Sequence, residues 1–158
     1  MKSPTLRFGA DQEANMPTRI LLVDDHPIVR EGLRTVLLRR PECEVVGEAS
    51  DGIEALEKVG SLQPDVLILD VTMPKMSGIE VCRQVRQKKP DLEVLFVTQH
   101  DSPQMLREAL GAGAKGYVVK SNAARDLLEA IEAVSRHRIF TALTLRNPPP
   151  PNPALPGK

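Results

Sequence analysis

Five short aliphatic runs punctuate the chain: RILLVD at 19–24, EVVGEA at 44–49, DVLILD at 65–70, EVLFVT at 93–98 and GYVV at 116–119. Each is too short for an ordinary helix, and each reads as a strand. The first, third and fourth are near-continuously aliphatic, as strands covered on both faces are. Between the runs, apolar residues return at helical spacing. Ile28, Val29, Leu33, Val36 and Leu37 fall on one side of a helix starting after Pro27, whose fixed backbone angle suits a first helical position. Asp51-x-x-Glu54, Ser77-x-x-Glu80 and Asp101-x-x-Gln104 each form a capping-box pattern opening a further helix. A last helix, about 123–137, gathers Leu127, Leu128, Ile131 and Val134. Five alternations of strand and helix with right-handed crossovers predict an α/β fold: a parallel sheet inside a three-layer α/β/α sandwich, doubly wound.

The ends break this rhythm. Residues 1–18 are polar and irregular and read as a disordered segment; Met16, just before the first strong element, is a conceivable alternative translation start. The folded domain is expected over 19–140. Residues 141–158, TALTLRNPPPPNPALPGK, hold six prolines and read as an extended tail of polyproline character that supplies neither helix nor sheet.

Composition narrows the function classes. Lys+Arg and Asp+Glu both total 21, so the formal net charge is zero and the broad basic signature of a dedicated nucleic-acid binder is missing. Hydrophobic residues make up 41% of the chain but aromatics only 3%, so the core is aliphatic. Cys43 and Cys82 sit in apolar segments without metal-like or redox spacing and read as buried free thiols. No run approaches the roughly 18 apolar residues of a membrane span, and MKSPTLRFGADQEAN lacks a secretory hydrophobic stretch, so a cytoplasmic protein is expected.

Chemistry is sought where open parallel sheets place it, beyond the carboxyl ends of the strands. Strand one ends in Asp24 and Asp25, strand three in Asp70, strand four in Thr98 and strand five in Lys120. Each alone has a plain reading: a helix cap, a turn residue, a β-branched strand residue, a solvated charge. Together they put three carboxylates, a hydroxyl and an amine on one edge. Three carboxylates with no arginine nearby in sequence repel unless a hard divalent cation binds them, and Mg²⁺ takes one or two carboxylates, waters and a phosphate. Asp70, at the end of a central strand, is then the candidate nucleophile toward phosphorus, with Lys120 as a point charge and Thr98 as a hydroxyl donor to phosphoryl oxygens. His26 and Pro27 read as the structural start of the first helix, since hard Mg²⁺ favours oxygen over imidazole.

The stretches ILLVDDHPIVREGL, DVLILDVTMPKMSGIEV, VTQH and GAKGYVVK, at their spacings over about 19–140, resemble the receiver domain of a bacterial two-component response regulator. DDHPIVREGL and GAGAKGYVVKS are most similar to the NarL/FixJ, or LuxR-type, subfamily. The resemblance implies a flavodoxin-like five-stranded sheet of order 2-1-3-4-5. It implies that Asp70 accepts a phosphoryl group from the phosphohistidine of a sensor histidine kinase. Asp25 and Asp70 would carry Mg²⁺, helped by Asp24 through water and by the backbone carbonyl of Thr72. Lys120 and Thr98 would be the signalling pair and Tyr117 the aromatic that changes rotamer, repacking the surface of the fourth helix, fifth strand and fifth helix. Thr72 and His100 hold positions that tune phosphoryl lifetime in such domains. Where many receivers have a proline after the lysine, Ser121 stands, so a cis bond there is disfavoured by about 3 kcal/mol.

The subfamily usually continues into a helix-turn-helix domain, whereas no basic recognition helix follows residue 140. The leading expectation is therefore a stand-alone signalling receiver acting on an unknown downstream protein, with homodimerisation on phosphorylation possible and neither DNA nor membrane binding expected. The alternative is the receiver part of a LuxR-type DNA-binding regulator. An enzyme is not expected: the phosphatases that use a strand-end aspartate need a second one two residues on, where Thr72 stands. GAGAKG at 111–116 leads from helix to strand, the reverse of a dinucleotide-binding context.

Overall fold

The structure is a computed structural model that describes residues 16–142; of the segment expected as disordered at 1–18, residues 1–15 lie outside the described residues, as do the prolines beyond 142, while Thr18 already belongs to the first strand. Strands β1 (Thr18–Val23), β2 (Cys43–Ala49), β3 (Val66–Leu69), β4 (Glu93–Thr98) and β5 (Gly116–Val119) fall on the five aliphatic runs. Between and after them come α1 (Pro27–Leu37), α2 (Gly52–Leu62), α3 (Gly78–Lys88), α4 (Pro103–Gly111) and α5 (Ala123–Ser135), the last entered through a 3₁₀ turn at Lys120–Asn122. All pairs are parallel, and the order is β2-β1-β3-β4-β5-β6. This is the doubly wound order expected, with one strand more.

The extra strand corrects the boundary placed after residue 140. Phe140–Ala142 forms β6, in register with Gly116, Tyr117 and Val118 of β5. Three residues are too few for the alternation of Phe140, Thr141 and Ala142 to read as a strand. They are recruited because β5 would otherwise present an unpaired edge and Phe140 packs against the core.

Alternation along the strands divides the core in two. Leu21, Val23, Leu67, Leu69, Val94, Phe96 and Val119 face one cluster, closed by Ala55 and Val59 of α2, Val81, Cys82 and Val85 of α3, and Ala109 of α4. Ile20, Leu22, Val66, Ile68, Leu95, Val97 and Val118 face the other, closed by Leu33 and Leu37 of α1 and Leu127, Ala130, Ile131 and Val134 of α5. The two free thiols behave as small hydrophobes, and burial pushes Cys82 up to about 12.

Two local expectations need correction. Ile28 is 80% exposed, because it shares a helix face with Gly32 and Thr35, while Val29, Leu33, Val36 and Leu37 turn toward the core. The cap of α4 is Ser102, whose Oγ accepts from the Met105 N–H at 3.2 Å, and not Asp101: Pro103 takes the first helical position and leaves the capping place to the residue before it. Asp51 and Ser77 cap α2 and α3 as expected.

Candidate functional site

The order of strands reverses at β1, so the crevice at the carboxyl ends of β1 and β3 is where the fold leaves room for a ligand. The backbone ties these ends together: Asp70 N–H donates to Val23 O at 3.2 Å, and Asp24 N–H to Ala49 O at 3.1 Å. Asp24 and Asp70 are buried, at 2% and 4% exposure, although both are carboxylates. Lys120 answers their charge. Its Nζ lies 2.8 Å from Asp24 Oδ2 and 2.9 Å from Asp70 Oδ2, bridging β1 and β3 from the end of β5. Burial alone would lower the Lys120 pKa, but hydrogen bonds from the ammonium to Asp24 and Asp70 and their attraction outweigh it, and the group is held above its ordinary value.

The other carboxylate oxygens are distributed unevenly. Asp24 Oδ1 accepts from the His26 backbone N–H at 2.9 Å and has His26 Nδ1 at 3.2 Å; Asp25 Oδ1 also has His26 Nδ1 at 3.2 Å. Ligand atoms of Asp24, Asp25 and His26 lie within 4.8 Å of one another. Among the described residues, three side-chain oxygens are buried without accepting a hydrogen bond: Glu93 Oε1 at the start of β4, and at this site Asp25 Oδ1 and Asp70 Oδ1. Buried anionic oxygens left so are costly in an otherwise satisfied site. Oxygen donors of this hardness, on two strand ends, suit a hard divalent cation.

Thr98, fully buried at the end of β4, accepts through Oγ1 from His100 N–H at 3.3 Å. Tyr117, also fully buried, donates its hydroxyl to His100 O at 2.6 Å. The His100 ring Nε2 stands 3.0 Å from Thr72 Oγ1. His100 thus joins the two positions expected to tune lifetime to Thr98 and Tyr117, by backbone atoms on one side and its ring on the other. Burial, with Asp101 and Asp70 adding to it, pushes the Tyr117 phenol up to about 12. The structure therefore brings Asp24, Asp25, Asp70, Thr98 and Lys120 to one edge, with Thr72 and Tyr117 linked to that edge through His100. No peptide bond among the described residues is cis, Lys120–Ser121 included.

Two supporting residues were not among those expected from the sequence. Arg30, on α1, donates from Nη1 to Asp24 O at 2.6 Å and from Nε to Glu48 at 2.9 Å, which holds the β1 end from behind. Gly78 opens α3 with its N–H on Val71 O at 2.7 Å. A Cβ there would overlap the Asp70 carbonyl oxygen and lie 2.9 Å from the Asp70 carbonyl carbon. The glycine in KMSG is a signal of close approach, but only the structure shows what it approaches.

Comparison with known families matches residues 20–132 to the response regulator receiver domain. The chain belongs to this family. Curated relatives of the receiver include the transcriptional regulatory protein DegU of Brevibacillus brevis, 39% identical over 75% of this chain and 50% of its own. The DNA-binding transcriptional activator DevR/DosR of Mycobacterium tuberculosis is 42% identical over 76% of this chain and 55% of its own. The chain spans about half the length of these relatives. Among solved structures, a LuxR-family two-component response regulator from an Aurantimonas species is 43% identical with a TM-score of 0.75, covering 78% of this chain and 89% of its own. The isolated receiver domain of RcsB from Salmonella enterica serovar Typhimurium, solved with the phosphomimetic BeF3-, is 30% identical with a TM-score of 0.75, covering 80% of this chain and 94% of its own. The receiver is of the LuxR-type kind, and its fold is the flavodoxin-like one expected. No helix among the described residues is long and apolar enough to cross a membrane.

Proposed function

We propose that this receiver accepts a phosphoryl group on Asp70 from the phosphohistidine of a sensor histidine kinase, and that Thr98, Tyr117 and Lys120 convert the new charge into a change of the surface formed by α4, β5 and α5. The observation that carries the reading is the pair of buried Asp25 and Asp70 oxygens that accept no hydrogen bond, beside a lysine already paired to Asp24 and Asp70.

In the transfer, an Asp70 carboxylate oxygen attacks phosphorus in line, the P–N bond to imidazole breaks as the P–O bond forms, and the imidazole leaves with a proton from solvent. Asp25 and Asp70, with Asp24 through water and the Thr72 backbone carbonyl, would hold Mg²⁺, which neutralises phosphoryl charge when bound. Lys120 keeps one Asp70 oxygen occupied and is placed to meet phosphoryl oxygens as a point charge. Thr98 Oγ1, which accepts from the His100 N–H, still has its hydroxyl hydrogen to donate to the phosphoryl group, and a shift of Thr98 toward that group pulls on the segment to which Tyr117 is bonded. The device is a two-state element biased by local charge. Receiver domains are in general regulators rather than enzymes, and a cytoplasmic place fits a kinase partner.

Incubation with acetyl phosphate and Mg²⁺ followed by intact mass measurement tests the reading: wild type gains one phosphoryl group and Asp70→Asn gains none. Wild type without an adduct under these conditions refutes it. A second reading, a receiver within a DNA-binding regulator, is favoured by the span of only about half of DegU and DevR/DosR. Gel-shift of DNA by this chain itself would show DNA contacts that its zero net charge does not lead one to expect.

A further inference from the structure

Strand β6 lies against the strand that serves the site. Its three residues pair with Gly116, Tyr117 and Val118, and Phe140 N–H donates to Lys115 O at 2.8 Å. Its root is anchored firmly. His137 takes a left-handed backbone conformation, φ 64°, and its Nδ1 lies 2.5 Å from Glu93 Oε2 at the start of β4. Arg138 N–H closes on Ala133 O at 2.9 Å. Beyond that root the strand is held lightly: Ile139 is 63% exposed, Thr141 is exposed, and only Phe140 packs against the core. A strand this short is marginal, so its pairing depends on how rigid a template β5 offers.

That template is fixed by site residues. Tyr117 pairs with Thr141 through its backbone while its hydroxyl bonds His100 O, and His100 N–H bonds Thr98 Oγ1. Just past Val119, Lys120 bridges Asp24 and Asp70. Anything that holds Lys120 and Thr98 on a common ligand stiffens β5, three of whose residues carry β6. Ordering that has already been done on one side of β5 need not be done again on the other, which is positive coupling without a large movement.

We propose that residues 140–142 are a regulatory strap, docked in cis on the outer edge of β5 and held more tightly when Asp70 carries a phosphoryl group. The inference rests on Asp70 as the acceptor. Because β6 runs parallel to β5, its last residue, Ala142, lies level with Val118, two residues short of Lys120. Phosphorylation is thereby felt at Phe140–Ala142.

Coupling of this kind is reciprocal, so one factor governs two measurements. Hydrogen–deuterium exchange on the full chain, with and without Mg²⁺ and beryllofluoride, should show amides of 140–142 slowed about fivefold by the phosphoryl mimic, at the low end of ordinary coupling between sites. Thr141→Gly, at an exposed position that leaves Phe140 in place, and Phe140→Pro, which removes the bond to Lys115, should each weaken beryllofluoride binding, followed by fluorine NMR, by up to the same factor. Thr141→Gly serves alone if Phe140→Pro does not fold. Bound mimic with unchanged or faster exchange at 140–142 overturns the strap alone. No bound mimic, together with no covalent adduct from acetyl phosphate, overturns the acceptor reading and the strap with it.

Discussion

Replacing Gly78 by alanine tests how closely α3 is set against the acceptor strand. Judged as a helix residue, Gly78 should profit from the change: alanine is the better helix former by about 1 kcal/mol in an interior position, less at a terminus. Its backbone needs no left-handed conformation, since among the described glycines only Gly113 has positive φ. The contact decides otherwise. The new methyl would overlap the Asp70 carbonyl oxygen and lie 2.9 Å from the Asp70 carbonyl carbon and 3.0 Å from Phe96 Cε1. None of these is the far end of a flexible chain: two belong to the acceptor's own backbone, and Phe96 is fully buried. Overpacking in a tight core costs about 1 to 3 kcal/mol, and backbone that cannot give puts this site at the upper end, so Gly78→Ala should lose about 3 kcal/mol. Gly60→Ala in α2 and Gly32→Ala in α1 are the controls, since nothing lies within 4 Å of a Cβ at either place. Each should gain about 0.5 to 1 kcal/mol. Urea unfolding of the three variants measures the signs directly. A Gly78→Ala protein as stable as wild type, or more so, would refute the close approach of α3 to Asp70.

Lys120→Met leaves Asp24 and Asp70 without their shared cation; in metal-free buffer, urea unfolding should show a loss of about 3 kcal/mol, part of it recovered with millimolar Mg²⁺. The Tyr117 phenol, near 10 when unfolded and about 12 when folded, favours the native state fully below pH 10 and loses that contribution as pH rises toward 12. Wild type should therefore lose about 1.4 kcal/mol relative to Tyr117→Phe between pH 9 and pH 11, as read from paired urea titrations. Asp25→Ala should weaken Mg²⁺ binding at least tenfold by calorimetry, whereas His26→Ala, which removes an exposed ring, should change it less than threefold.

The sheet was readable because parallel strands buried on both faces are near-continuously apolar, and runs such as 65–70 and 93–98 hold β3 and β4. The edge bearing Asp24, Asp25, Asp70, Thr98 and Lys120 followed from topology alone, since those residues end strands that all point one way. What stayed hidden depends on contacts between distant segments. Strand β6 exists only because β5 offers an edge. The role of His100 runs partly through its backbone N–H and carbonyl, which every residue has, and so no residue type announces it. Lys120 was expected to meet a phosphoryl group, but its bridge between two carboxylates shows that part of the acidic charge is answered within the chain. Ile28 was misplaced because the 3.6-residue period puts it with Gly32 and Thr35, on the side of the helix away from Leu33 and Leu37.

The account stands most directly on which side chain becomes phosphorylated. Borohydride reduction of the acetyl phosphate-treated chain converts an aspartyl phosphate to homoserine, and peptide sequencing by mass spectrometry then places it. The label should appear at residue 70, only when Mg²⁺ was present, and at neither Asp24 nor Asp25. Homoserine at Asp24 or Asp25 with Asp70 unlabelled, or a phosphoryl group on another kind of side chain, would contradict the account.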